Sequence, residues 1–166
     1  MIDEFVYVEG KKYRRGYTSG SCACGASKAA LMLLLENRPI NKVRIGTPKG
    51  IDLDLVVENI SWGQDWAQCS IRKDGGDDID ATHGMDIFAR LDLVEPDQVP
   101  DFRSDLDSDY LFITSGQGIG RVTKKGLDIG IGRPAINRVP LGMILKEVQE
   151  TIDELGLCLL YTSDAA

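Results

Sequence analysis

The chain has 166 residues, 27% of them charged and 43% hydrophobic, with a formal net charge of −7 at pH 7. That length suits one domain, or one domain and part of another, and the acidic balance excludes a nucleic-acid binder held by a general basic field. No run approaches the roughly 18 apolar residues of a membrane span, and the acidic Met1-Ile2-Asp3-Glu4 lacks a signal-peptide core, so a cytoplasmic location is expected.

Phe5-Val6-Tyr7-Val8 predicts a short strand, closed by a turn at Glu9-Gly10-Lys11-Lys12. Arg14 and Arg15 then lead into a loop of Gly, Thr and Ser, which opens a helix of small and unbranched residues running to about Glu36. Ser19 and Ser21 are its candidate N-caps, because a short hydroxyl accepts a bond from the first free N–H groups. Pro39 stops it. Three strands follow on period-2 alternation: Lys42 to Gly46, Ile51 to Val57, and Trp66 to Lys73. They are expected to form one antiparallel meander with the helix over its apolar face.

A loop rich in Gly and Asp comes next, Lys73 to Gly84, and then a fourth strand, Met85 to Val94. Glu95 to Ser108 reads as an exposed acidic loop, and Asp109 to Thr114 as a further strand. A second glycine loop, Gly116-Gln117-Gly118-Ile119-Gly120, runs into more loop through Asn137. The last helix is placed near Pro140, with Leu141, Ile144, Leu145, Val148, Ile152 and Leu155 on one stripe and Gly156 at its end. The fold class is therefore α+β, a mostly antiparallel sheet packed by helices, over residues 1–156. Residues 157–166 fit nothing before them and read as a non-native read-through tail.

The motifs narrow the chemistry without selecting a reaction. Gly116-Gln117-Gly118-Ile119-Gly120 has G-x-G-x-G spacing and no clear helix directly after it, so it is a weak match to a dinucleotide fingerprint. Its simpler use is to let a flat ligand approach the backbone, with Lys124 or Lys125 beside it for a carboxylate. Asp77, Asp78 and Asp80 are read as turn-forming acids rather than metal ligands. The four cysteines have neither zinc-site nor disulfide spacing and are read as small buried residues. His83 is the one histidine, able to act as acid or base near neutral pH. A loop of Gly and hydroxyl residues at a helix start presents donors to an anion.

Three blocks together resemble one family. They are Arg15-Gly16-Tyr17-Thr18-Ser19-Gly20-Ser21-Cys22-Ala23, then Lys73-Asp74-Gly75-Gly76-Asp77-Asp78-Ile79-Asp80-Ala81-Thr82-His83-Gly84, then Gly118 to Leu127 with Pro134-Ala135-Ile136-Asn137. In this order and spacing they resemble the cobalt-precorrin-5B C-1-methyltransferases of anaerobic cobalamin biosynthesis. The chain departs from that pattern at Ser19, Gly75, Ile79, Arg138 and Leu141. The resemblance implies methyl transfer from S-adenosylmethionine to C-1 of a cobalt-containing tetrapyrrole, the metal belonging to the substrate. It implies that a C-terminal Rossmann-like half of the family is missing here, leaving a fragment that is inactive alone if S-adenosylmethionine needs that half. It also implies site residues. Arg15, Thr18, Ser19, Gly20, Ser21, Lys73, Asp77, Asp78, Gly116, Gly118, Gly120, Lys124 and Asn137 are expected to bind substrate or cofactor, and His83 and Asp74 to assist catalysis by moving a proton. The opening stretch also resembles the loop-to-helix of small-molecule kinases with a ribosomal-S5-like fold, a topology this α+β region can share. An ATP-binding domain and a non-catalytic tetrapyrrole-binding module are the alternatives.

Overall fold

The structure, a computed structural model, describes residues 5–14, 16–77, 82–98, 110–126 and 129–155. Arg15, Asp78, Asp80, most of the acidic loop and the whole 157–166 tail lie outside the described residues.

The chain opens with a hairpin, β1 (Phe5–Val8) and β2 (Lys11–Arg14), antiparallel with Phe5 opposite Arg14 and Tyr7 opposite Lys12. The sequence reading took Lys11 and Lys12 as turn. The turn is shorter, Glu9-Gly10, both at positive φ (49° and 78°), the two-residue geometry whose twist matches paired strands. β2 was invisible to alternation because all four of its residues are exposed.

Helix α1 (Ser19–Glu36) is capped by Thr18 rather than by Ser19 or Ser21: the Ser21 N–H donates to Thr18 Oγ1 at 3.0 Å. Its end is set two residues before Pro39, by Asn37 in the left-handed conformation with its N–H on Leu33 O. The helix is buried on most of its circumference, as its small residues require. A Cβ on Gly25 would lie 2.6 Å from Leu55 Cδ1 and 2.7 Å from Ile71 Cδ1, so glycine lets the helix rest directly on two strands.

Beneath α1 the strands do not form one meander. β3 (Lys42–Gly46) pairs only with β4 (Asp52–Val56) among the described strands, in a separate two-stranded sheet. β5 (Glu58–Trp62), which the sequence reading left unassigned, pairs with β6 (Trp66–Arg72), and β6 pairs with β7 (Asp86–Asp92). Asn59 sits at φ 51° within β5, where the β5–β6 register shifts. Val43, Ile45, Leu55, Ala67, Cys69 and Ile71 turn their side chains into the core shared with α1.

Tyr110 to Thr114 forms no strand. Leu111 and Ile113 instead pack on the core, and Tyr110 Oη donates to Gln149 Oε1 at 2.5 Å. A single turn of tighter helix, Pro96–Gln98, precedes it. Helix α2 (Arg138–Glu154) starts two residues earlier than expected, with Asn137 as N-cap. Of its apolar stripe, Ile144, Leu145, Val148 and Ile152 are buried, while Leu155 is exposed. No helix among the described residues is long and apolar enough to cross a membrane.

Candidate functional site

The two helices lie side by side and parallel. Three contacts mark the register: Gly20 against Pro140, Cys24 Sγ to Met143 O at 3.5 Å, and Lys28 Nζ to Glu147 Oε2 at 3.3 Å. Gly20 permits the approach at the start, since a Cβ there would stand 2.9 Å from Pro140 Cβ. Both N-termini therefore sit at one end of the molecule, and each carries roughly half a positive charge.

The donors at that end are unevenly met. In α1, Ser21 N–H goes to Thr18 Oγ1 and Cys22 N–H to Thr18 O, while the Ser19 and Gly20 N–H groups have no acceptor among the described residues. In α2, Asn137 makes no side-chain cap bond and Pro140 has no N–H, leaving Val139 N–H without a described acceptor. Helix starts with open donors are anion sites in waiting.

The Gly- and Asp-rich loop closes over the same end. Tyr17 N–H donates to Asp74 O at 2.6 Å. Gly16 is stacked so tightly on this loop that a Cβ would meet Gly75 C at 2.2 Å and Asp74 O and Gly76 N at 2.4 Å. The contact is backbone on backbone, and only glycine fits. Arg14 forks onto Asp74, Nη1 to Oδ2 at 2.6 Å and Nη2 to Oδ1 at 2.9 Å. Arg14 N–H also donates to Asp77 Oδ2 at 2.5 Å, and Asp77 N–H returns to Arg14 O at 3.1 Å. Arg14 and the Gly76 N–H hold the Asp74 carboxyl below the usual aspartate range.

Two further groups complete the loop. Lys73 is only 6% exposed. Its Nζ donates to Thr82 Oγ1, and its backbone is tied to Met85 and Gly84. It lies near the first turn of α1, where its charge partly opposes the burial that pushes the Cys22 thiol up to about 11. His83 is exposed, and its Nδ1 accepts the Gly75 N–H at 3.0 Å, so the neutral ring carries its proton on Nε2. Burial likewise pushes the Cys24 and Cys69 thiols up to about 12, which makes them inert packing groups.

The first two sequence blocks thus meet, across some sixty residues of chain. Thr18, Ser19, Gly20, Ser21, Lys73, Asp74, Asp77 and His83 share one region. The third block reaches it through its end, where Asn137 caps α2 and Pro140 touches Gly20. The body of that block is an internally bonded excursion, with Arg121 bridged to Pro134 and Ala135 N–H on Gly120 O at 2.8 Å. Gly116, Gly118 and Gly120 are exposed in it with open space around each, and Gly118 needs its glycine for φ 84°. Lys124 is exposed in the same excursion. Arg15 and Asp78 lie outside the described residues. Sequence reasoning did not foresee the Arg14–Asp74 fork; the signal for it was a basic pair leading into a helix-capping loop. Among the described residues no group of three His, Cys, Asp or Glu could hold a metal ion.

From the start of α2 at Arg138 and Val139 along to Glu154, the two helices and β3 flank an open cleft of about 790 Å³. At its floor Glu147 bridges Lys28 Nζ at 3.3 Å and the Gly46 N–H at 3.0 Å.

Comparison with known proteins places these features in context. The family model described as CbiD matches residues 6–161. A cobalt-precorrin-5B C(1)-methyltransferase of Clostridioides difficile (strain 630) is 48% identical over 92% of this chain and 41% of its own length. One of Thermoanaerobacter sp. (strain X514) is 44% identical, over 92% and 38%. The crystal structure of a cobalamin biosynthesis protein (cbiD) from Archaeoglobus fulgidus superposes with a TM-score of 0.56 at 25% identity, covering 92% of this chain and 44% of that one. The chain spans about two fifths of the length of the curated relatives it matches.

Proposed function

The chain belongs to the CbiD family, and from that membership we propose that it is the acceptor-binding part of a cobalt-precorrin-5B C(1)-methyltransferase. Its relatives carry that name. In this reading the acceptor is a cobalt tetrapyrrole edged with acetate and propionate carboxylates, and the methyl donor is S-adenosylmethionine. The observation that carries the reading is the pair of parallel helix N-termini, with open Ser19, Gly20 and Val139 N–H groups beside the buried Lys73.

That donor set suits an anionic acceptor. Backbone N–H groups at helix starts bind carboxylates without bringing a mobile counter-charge, and a buried ammonium strengthens the field. The set does not suit the sulfonium of the methyl donor, which is itself a cation, and we place no group of this chain on it. S-adenosylmethionine supplies a methyl that leaves sulfur as a ring carbon attacks in line. What the chain's own residues contribute is position: carboxylates pinned at the helix starts fix the ring relative to the incoming methyl and restrict its tumbling. Asp74 serves in this scheme as an anchor, because its oxygens are engaged by Arg14 and Gly76. His83 Nε2 is the group placed to pass a proton at the loop surface. Thr18 and Ser21 hold the α1 start in shape, while the excursion with Gly116, Gly118, Gly120 and Lys124 supplies a second wall for the flat ring, reached from Asn137.

Calorimetric titration with cobyrinic acid, a carboxylate-rich cobalt corrinoid, tests this directly. Saturable binding that is lost with the heptamethyl ester is expected, since the ester keeps the ring and removes the charges. Equal binding of acid and ester would contradict the carboxylate site. Binding of ATP with no corrinoid binding would replace this reading with a kinase-like one.

A further inference from the structure

We propose that the β1–β2 hairpin is a ring-stacking wall of the acceptor site, with Tyr7 as the stacking residue and Lys12 as an added carboxylate ligand; this rests on the acceptor-binding reading above.

Cross-strand partners project to the same face of a hairpin, and so do residues two apart along one strand. The pairing of Phe5 with Arg14 and Tyr7 with Lys12 therefore puts Phe5, Tyr7, Lys12 and Arg14 on one face. The placement of Lys12 Nζ 3.8 Å from the Phe5 ring centroid agrees with that assignment. The face has a direction, because Arg14 at its near end grips Asp74. Tyr7 and Lys12 lie two residues further out, about 7 Å along the strand. The aromatic and cationic face is thus continuous with the loop that closes over the helix starts.

Nothing in the core asks for this face. Its two rings, Phe5 and Tyr7, are exposed, Tyr7 to 70%. What fixes the hairpin is the Arg14 pairing with Asp74 and Asp77, at the edge of the site. Its charge runs against that of the molecule. Residues 5–15 hold Lys11, Lys12, Arg14 and Arg15 against the lone acid Glu9, in a chain of net charge −7. An exposed ring flanked by cations matches a flat conjugated macrocycle with peripheral carboxylates: the ring stacks and the cations meet the edge.

The test is titration of the intact chain with cobyrinic acid, comparing wild type with Tyr7→Ala, Tyr7→Phe, Lys12→Ala and Lys12→Arg. Tyr7→Ala should weaken binding roughly five- to tenfold, the worth of an aromatic contact, while Tyr7→Phe keeps it. Lys12→Ala should weaken binding about two- to fivefold, with Lys12→Arg restoring it. Thermal melts should not move, since neither side chain is buried. If wild type binds and Lys73→Met weakens it, but Tyr7→Ala and Lys12→Ala match wild type, the hairpin inference is overturned and the acceptor site stands. If wild type does not bind the acid, the acceptor reading itself falls and the hairpin wall with it.

Discussion

The middle and the N-terminal end of the α1–α2 pair make opposite use of polar groups. Midway along, Lys28 and Glu147 are largely buried, and each is answered: Lys28 Nζ by Arg44 O and Glu147, Glu147 by Lys28 and Gly46 N–H. At the N-terminal end the same two helices leave three N–H groups without a described acceptor and bring a buried lysine beside them. A closed network holds elements together; an open one is set for something that arrives. The difference separates the part of the cleft over Glu147 from the junction at Thr18. We read the first as the seam of the fold and the second as the site.

Substitutions can break this contrast. The largest effect is expected at the seam. Glu147→Ala leaves Lys28 and the Gly46 N–H without their carboxylate and should lower stability by about 3 kcal/mol in urea unfolding, with corrinoid affinity retained by the folded fraction. Lost affinity with intact stability would reverse the assignment of the two regions. Gly16→Ala comes next, because its Cβ has only backbone to displace. It should cost about 2 kcal/mol and abolish detectable corrinoid binding by lifting the Asp74–Gly76 loop off α1. Thr18→Ala removes the helix cap and should cost about 1 kcal/mol, with Thr18→Ser restoring most of it. Helical content by circular dichroism and urea midpoints would check both.

The smallest expected effect is a pH signature. The folded-state pKa of Asp74 is depressed, so its contribution is fully present above the ordinary aspartate value of about 3.9 and is lost as pH falls through the lower folded value. The stability gap between wild type and Asp74→Asn should therefore be constant from neutral pH to about 5 and close only below about 4. A gap that closes between pH 7 and 5 would assign it to another group.

How much of this was legible in the sequence depends on the kind of signal. Elements with one buried face declared themselves by period: β3, β4, β6, β7 and the stripe of α2. β2 did not, because all four residues are exposed, and β5 was obscured by the left-handed Asn59 that shifts its register. Tyr110 to Thr114 looked like a strand because it is apolar, yet its apolar side chains are used against the core without ladder pairing. The blocks of the site were readable as motifs, but their meeting was not. Arg14 and Asp74 are sixty residues apart, and nothing local in either stretch encodes a fork between them. Gly16 and Gly20 were visible as residues of the loop that opens α1; the structure adds their close approach to Gly75 and to Pro140.

The most direct measurement is amide mapping by two-dimensional NMR of the ¹⁵N-labelled chain during titration with cobyrinic acid. The account predicts the largest shifts at the Ser19 and Gly20 amides and the loop around Gly75, with Gly46 and Glu147 unmoved. Shifts centred on Gly46, Glu147 and Lys146, with the helix starts silent, would contradict it and move the site to the cleft.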